Sequence, residues 1–262
     1  MFLKENSHDQ LKYPIETKQP KVKIAHFNTI NTEPDYEKTL QTFQAIDADI
    51  VSVQNLSYDW YIFLEDNMTE MYPFHMAIPS LGNDGIGVYS KYPFSSIDTF
   101  QCGKMPNIVG SVTVNGAEDF YFISSLTSPS NTSAQAKQVE EHLKVIRQEC
   151  LAMNSPLIMF GEYHLAPWSD GIQEFRETCK LQDARAGFST TYPHGYLDLF
   201  EVPTDHIFFS EDFKCIGFHT ISGETSKHIG IVGSFQYMTA DERANDVGYL
   251  YFSDAERKAT EF

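Results

Sequence analysis

Basic residues are scarce in this chain. Its 262 residues include 19 Lys and Arg against 36 Asp and Glu, for a formal net charge of −17. Such a field repels polyanions. Tight nonspecific nucleic-acid binding needs a basic footprint, and the sequence clusters its Lys and Arg nowhere. Solubility is the plain reading of the acidity. Cysteine is sparse as well. The four cysteines, Cys102, Cys150, Cys179 and Cys215, form no C-x-x-C pair, which removes support for zinc-finger and thioredoxin-type sites. Their wide scatter fits reduced, mostly buried thiols, with one disulfide left open. No run approaches the ~18 apolar residues of a membrane span. Met1-Phe2-Leu3 passes at once into polar residues, so no signal-peptide core is expected. A full-length protein of this kind is expected in the cytoplasm, and for a domain cut from a membrane-anchored protein the location stays open. Repeats and low-complexity segments are missing too. Core material is plentiful: 42% of residues are hydrophobic and 14% aromatic, enough for one large domain.

The periodicity predicts strands over 22–28, 48–54, 85–90, 204–210, 215–220 and 230–236, and a buried strand running into Gly161. Segments 108–114 and 120–124 read as a hairpin around Asn115-Gly116. Helical spacing appears over 35–46, 60–71, 133–154 and 171–179. In the third of these, Val139, Leu143, Ile146, Cys150 and Leu151 form one stripe. Strands with helices between pairs of them favour a layered α/β (α+β) solution, two packed mixed sheets flanked by helices. Residues 1–20 are expected to be a mobile arm or linker, 21–237 the domain, and 238–262 a tail or peripheral helix.

The most informative segment is Phe160-Gly161-Glu162-Tyr163-His164-Leu165-Ala166-Pro167-Trp168-Ser169. It resembles the G-D-F-N-x-x-P-W-S motif of the endonuclease/exonuclease/phosphatase superfamily. Six further blocks match that superfamily in the correct order. Lys23-Ile24-Ala25-His26-Phe27-Asn28 is similar to its first strand, and Asp49-Ile50-Val51-Ser52-Val53-Gln54-Asn55 to D-I-V-x-L-Q-E. Gly85-Ile86-Gly87-Val88-Tyr89-Ser90-Lys91-Tyr92-Pro93 is similar to G-x-A-I-L-S-R-x-P, and Ser125-Leu126-Thr127-Ser128-Pro129 stands where H-L-x-S-P is usual. Thr204-Asp205-His206-Ile207-Phe208-Phe209-Ser210 resembles I-D-H-I-F-V-S, and Ser226-Lys227-His228 resembles S-D-H. The stretch from Phe188 through Thr191-Tyr192-Pro193 also resembles a bacterial branch that often carries membrane helices ahead of the catalytic domain. The fold implied is a four-layer α/β-sandwich.

The resemblance also implies a site. In the family a divalent metal, commonly magnesium, sits on carboxylates at strand ends and neutralises the phosphate, while a His/Asp pair assists attack by water. Asn28, Asp205 and His228 retain family positions and are the implied catalytic residues. Five positions are substituted. The metal-binding Glu falls at Asn55, the Asp of G-D-F-N at Glu162 and its Asn at His164. The His of H-L-x-S-P falls at Ser125, and the Asp of S-D-H at Lys227. Asn55 removes an anion and Lys227 adds a cation. The implied protein is catalytically impaired, with the Lys227 ammonium standing in for the metal beside Glu162 and Asp205, and with a phosphate-bearing small molecule or a protein as partner. The alternative is an active phosphoesterase with a rearranged site. Glu162 and His164, two apart on one strand face, would join Asp205 and His228 around a transition metal such as Zn2+ or Mn2+. Magnesium or manganese is the cofactor of an active protein, and none of an impaired one. His164 otherwise simply hydrogen-bonds in a polar pocket. His26 shares a face with Asn28 and is expected to line the cleft. Trp168 is expected to pack under its turn. His75, His142, His194 and His219 read as ordinary surface or satisfied residues.

Overall fold

A computed structural model describes residues 13–14, 16–29, 35–128, 133–153, 156–185, 203–221 and 230–245. Twelve strands build two six-stranded sheets among these residues. The first sheet contains β1 (Lys21–Asn28), β2 (Ile50–Gln54), β3 (Phe74–Ile78), β4 (Ile86–Ser90), β11 (Phe213–Ile221) and β12 (Gly230–Tyr237), in the order β11-β12-β1-β2-β4-β3. The second contains β5 (Phe94–Cys102), β6 (Met105–Val112), β7 (Phe120–Leu126), β8 (Leu157–Glu162), β9 (Leu181–Asp183) and β10 (Asp205–Ser210), in the order β5-β6-β7-β8-β10-β9. Each sheet is antiparallel except at its centre. There β1 pairs with β2, and β7 with β8, in parallel. Each parallel pair is joined by a helix, α1 (Tyr36–Ile46) in the first sheet and α3 (Ser133–Ala152) in the second, as a parallel connection requires.

The helices form where local chemistry allows. Asp35 caps α1 by accepting from the Lys38 amide, and Leu40 and Phe43 turn inward. Ser57 caps α2 (Tyr58–Met68) through the Trp60 amide, and Trp60, Leu64 and Met68 are its buried stripe. These side chains cover the outer face of the first sheet together with Ala25, Phe27, Val51 and Val53. The outer face of the second sheet is covered by Val139, Leu143, Ile146 and Cys150 of α3 and by Ile172 and Phe175 of α4 (Asp170–Cys179). Leu151, expected on the α3 stripe, is 56% exposed instead. It follows Cys150 directly, and one helical residue rotates the side chain by ~100° off the buried face. A third cluster, including Phe120, Phe122, Phe160, Phe209 and Phe235, fills the space between the sheets. The result is the expected four-layer sandwich.

Three strands were not foreseen. β3 and β5 are edge strands, and their mixed exposure leaves no clean alternation to read. β9 is only three residues long. The hairpin over β6 and β7 is present, but Asn115 and Gly116 occupy part of a longer connection, both at positive φ, rather than a two-residue loop. Thr17 and Gln19 lie against the first sheet: Gln236 accepts from the Thr17 amide and donates to the carbonyls of Thr17 and Gln19. A short helix, α5 (Ala240–Asn245), follows β12. No helix among the described residues is long and apolar enough to cross a membrane.

Candidate active site

The inward faces of four strands change character along their length. On β1 the inward positions are Val22, Ile24, His26 and Asn28, and on β2 they are Ile50, Ser52 and Gln54. On β7 they are Phe120, Phe122 and Ser124, and on β8 Ile158, Phe160 and Glu162. These are the two parallel pairs, so the inter-sheet space is apolar at one end and polar at the other. β10 runs antiparallel to β8 and places Asp205 opposite Glu162.

Polar groups at that end are linked by hydrogen bonds. The Asn55 amide donates to Asn28 Oδ1 at 2.6 Å, and the Asn28 amide donates to Glu162 Oε2 at 2.6 Å. His26 places Nε2 3.2 Å from Asp205 Oδ1 and Nδ1 3.2 Å from Ser52 Oγ, which contacts Ser124 Oγ at 2.9 Å. His26 and Asp205 are fully buried. This places His26 on a carboxylate, a role beyond lining the cleft. Gln54 spans the gap between the sheets. Its Nε2 donates to the Ser125 carbonyl at 2.7 Å, and its Oε1 accepts from the Glu162 amide at 3.0 Å. Gly161 lies beneath it at φ +151°. A Cβ there would fall 1.9 Å from the Ser125 carbonyl oxygen and 2.8 Å from Gln54 Nε2. The motif glycine is thus dictated by the amide clamp passing over it.

β8 ends at Glu162, and His164 lies beyond it at φ +52°. The strand alternation expected to put these two on one face is therefore absent. The turn brings them together: His164 Nε2 is 3.5 Å from Glu162 Oε1, and Nδ1 is 3.3 Å from Thr127 Oγ1. Burial raises the Glu162 carboxyl well above its ordinary value, and the Asp205 charge adds to this, while the bond from Asn28 pulls the other way. His206, beside Asp205, turns to the opposite face. Its Nε2 is 2.9 Å from the Leu165 carbonyl, which ties β10 to the motif loop.

The structure thus brings Asn28, Asn55, Glu162, His164 and Asp205 together. Ser125 is apart. Alternation turns its side chain to the outer face of the second sheet, where it donates to Asn107 Oδ1 at 2.6 Å. His142 Nε2 lies 3.0 Å from that same oxygen. Burial lowers His142 to about 4. Lys227 and His228 lie outside the described residues. Trp168 does not pack under its turn: it is 54% exposed, because the Pro167-Trp168-Ser169 turn carries it along the surface toward α4. Gln54, with both amide groups committed across the sheets, is the site residue that one-dimensional reading missed.

A magnesium ion needs several oxygen ligands in near-octahedral array, usually with carboxylates among them. Glu162 here faces an amide N–H of Asn28, and Asn28 faces an amide N–H of Asn55. The orientation of both amides follows from the carboxylate at the head of the chain. Among the described residues no three His, Cys, Asp or Glu side chains gather as a metal-holding group. The oxygens this end could offer a cation are the carboxylates of Glu162 and Asp205, which face each other across β8 and β10, and the amide oxygens of Asn28 and Asn55. A cavity of about 510 Å³ lined by Lys23, Lys38, Gln41, Thr42 and His219 lies toward the other end of β1 and takes no part in this site.

Similar structures bear on the architecture. A humanised D. rerio TDP2 superposes with a TM-score of 0.68 at 14% identity, over 82% of this chain and 99% of that one. An endonuclease/exonuclease/phosphatase from Bacteroides vulgatus gives a TM-score of 0.70 at 14% identity, over 84% and 100%. The chain has the endonuclease/exonuclease/phosphatase fold. The human Nocturnin catalytic domain with bound sulfate shares it, with a TM-score of 0.64 at 12% identity over 87% of this chain and 99% of that one. No family model matches the sequence, and no curated protein matches it. Likeness at this identity establishes the fold, and the chemistry has to be argued from the site.

Proposed function

We propose that this chain is a catalytically impaired relative of the phosphoesterases that share its fold, and that its cleft takes a phosphate-bearing small molecule without cleaving it. The observation that carries this reading is the chain from Asn55 to Asn28 to Glu162, two bonds of 2.6 Å each. A metal-dependent phosphoesterase needs oxygens and negative charge there. This site offers two N–H donors in line with the Glu162 carboxylate. Asp205, the second carboxylate, is engaged by His26. Lys227, the cation in place of an acid, belongs to the same reading. The net charge of −17 favours a small ligand over a nucleic-acid chain. A D. rerio TDP2 of the same fold has been crystallised in complex with a single-strand DNA product.

Calorimetric titration with Mg2+, Mn2+ and Zn2+, run beside a hydrolysis assay on bis(p-nitrophenyl) phosphate, tests the proposal. No binding at millimolar metal and no turnover are expected. Saturable metal binding together with turnover would sink it. A second reading rests on the 3.5 Å approach of His164 to Glu162. It gives these two, with Asp205 and His228, to Zn2+ or Mn2+ in an active enzyme. Turnover with Zn2+ or Mn2+ but not Mg2+ would favour it.

A further inference from the structure

The outer face of the first sheet carries a groove beside α1. Across three strands, Lys23 of β1 lies opposite Ser234 of β12, which lies opposite Gly217 of β11. Ala25, Val232 and His219 form the next row on the same side. Ala25 and Val232 belong to the outer cluster, and residues directly opposite share a face, so Lys23 and His219 point outward as well. Helix α1 presents Lys38, Thr42 and Ala45 along one flank, spaced four and three residues apart. The groove between that flank and β11 has a volume of about 510 Å³ and is bounded by Lys23, Lys38, Thr42, Ala45, Ile46 and His219. A Cβ at Gly217 would meet nothing within 4 Å among the described residues, so the space beside β11 is open.

The lining is selective in charge. The chain carries 36 Asp and Glu against 19 Lys and Arg, yet two lysines and a histidine border this groove and, among the described residues, no carboxylate does. The carboxylates nearest in sequence are committed elsewhere. Asp49 Oδ2 accepts from the Lys23 main-chain amide at 2.7 Å, and Asp47 pairs with Lys91. The Lys23 ammonium donates to the Ile46 carbonyl at 2.9 Å, in the last turn of α1. A helix end of this kind carries partial negative charge and repels anions, and the bond sets a cation over it. An ammonium has three N–H donors, so Lys23 keeps others for the groove. Partial burial and then the charge of Lys23 hold His219 below its ordinary value.

We propose that this groove is a further binding site, for a small phosphate monoester. The Lys23 and Lys38 ammoniums take the phosphate as point charges, with His219 beside it, and Ala45 and Ile46 give an apolar wall to the group the phosphate carries. The volume of about 510 Å³ falls within the range of roughly 300–1,000 Å³ usual for small-molecule sites. The groove lies outside the first sheet and the candidate active site lies between the sheets, so this assignment does not depend on the chemistry of the cleft.

The test titrates the whole protein with phenyl phosphate and follows its histidine ring resonances by NMR. It is run at constant ionic strength and at pH 6.5, where an ordinary histidine is half protonated. The His219 and His164 signals are identified by their loss in His219→Gln and His164→Gln. A phosphate beside Lys23 offsets the charge that acts on His219, so the His219 signals are expected to move toward the protonated position and to saturate. Lys38→Gln and Lys23→Gln are each expected to weaken binding by about tenfold or more. Should Lys23→Gln fold poorly, Lys38→Gln on the helix flank carries the test. Inorganic phosphate, lacking the apolar group, is expected to bind about threefold or more weakly. Unmoved His219 signals, a shift reproduced by sodium chloride alone, or affinity unchanged in the lysine variants would each overturn the proposal. Equal affinity for inorganic phosphate would overturn the ester assignment. A response at His164 alone would put the ester in the cleft, which overturns this site and leaves the reading of the cleft standing.

Discussion

The two ends of the inter-sheet space are made by the same strands and differ in every other respect. At one end Val22, Ile24, Ile50, Phe120, Phe122, Ile158 and Phe160 pack as an ordinary core. At the other, His26, Asn28, Ser52, Gln54, Ser124, Glu162 and Asp205 are equally buried and are held by hydrogen bonds. Burying so many polar groups costs free energy unless each is paired. The apolar end tolerates a change of shape at moderate cost. The polar end tolerates little, because removing one partner strands another. Asn55 is itself tied into this end by the bond it donates to Asn28.

The sharpest way to break that comparison is at Gly161. Gly161→Ala forces a methyl group into the Ser125 carbonyl and the Gln54 amide at a backbone angle only glycine adopts easily. Chemical denaturation is expected to show a loss of about 4 kcal/mol or more, or no folded protein. A loss below about 1 kcal/mol would mean the clamp yields easily and the polar end is soft.

The next largest effect concerns the polar cluster behind the second sheet. His142 is neutral when folded, with burial holding it to about 4, whereas an unfolded histidine titrates at 6.5. The depressed value means stability is fully present above pH 6.5 and falls as the unfolded chain takes up a proton that the folded chain refuses. The loss accumulates between pH 6.5 and about 4 and reaches about 3 kcal/mol. His142→Gln, which keeps a donor for Asn107, should flatten that window relative to the parent in denaturation series at several pH values. Parallel curves for the two proteins would exclude His142 as the source.

How much of this could be read in one dimension depends on the same contrast. Alternation of Val22-Ile24 and Phe120-Phe122 is a local pattern, and it reveals the sheets. β5 escaped because an edge strand with Ser, Asp, Thr and Gln on both faces carries no such pattern. The switch from apolar to polar on the inward face, as in Val22, Ile24, His26 and Asn28, is also local and marks the site end. The partners are not local. His26 meets Asp205 across 179 residues, and Gln54 meets Glu162 across 108. Nothing near Gln54 in the chain announces that its amide is spent on two strands of the opposite sheet. Ser125 was drawn into the site by its motif position, yet it sits one residue past the inward-facing Ser124, and a period of two turns it outward. Trp168 was assigned to the interior on residue type, which a turn can override.

Gln54→Leu keeps the volume and removes both bonds of the clamp. The Glu162 amide and the Ser125 carbonyl lose their side-chain partner in a dry interior. A loss of about 2–3 kcal/mol is expected in urea denaturation. A neutral or stabilising result would mean the polar end is held by backbone pairing alone and that Gln54 is incidental.

The smallest effect on stability is the most telling about chemistry. Asn55 sits at φ +57°, a left-handed conformation that Asn tolerates and Glu does not favour. Asn55→Glu should therefore cost about 1 kcal/mol of stability. It also replaces the amide that faces Asn28 with a carboxylate, the group that the sequence resemblance puts at this position. If charge count at this position is what separates the impaired site from an active one, calorimetry should show Mn2+ or Mg2+ binding at least about tenfold tighter than in the parent. Unchanged binding in a folded variant would move the deficiency away from Asn55, to the occupation of Asp205 by His26 or to the charge reversal at Lys227. The double variant Asn55→Glu with Lys227→Asp then separates those two, since it restores both charges and leaves His26 on Asp205.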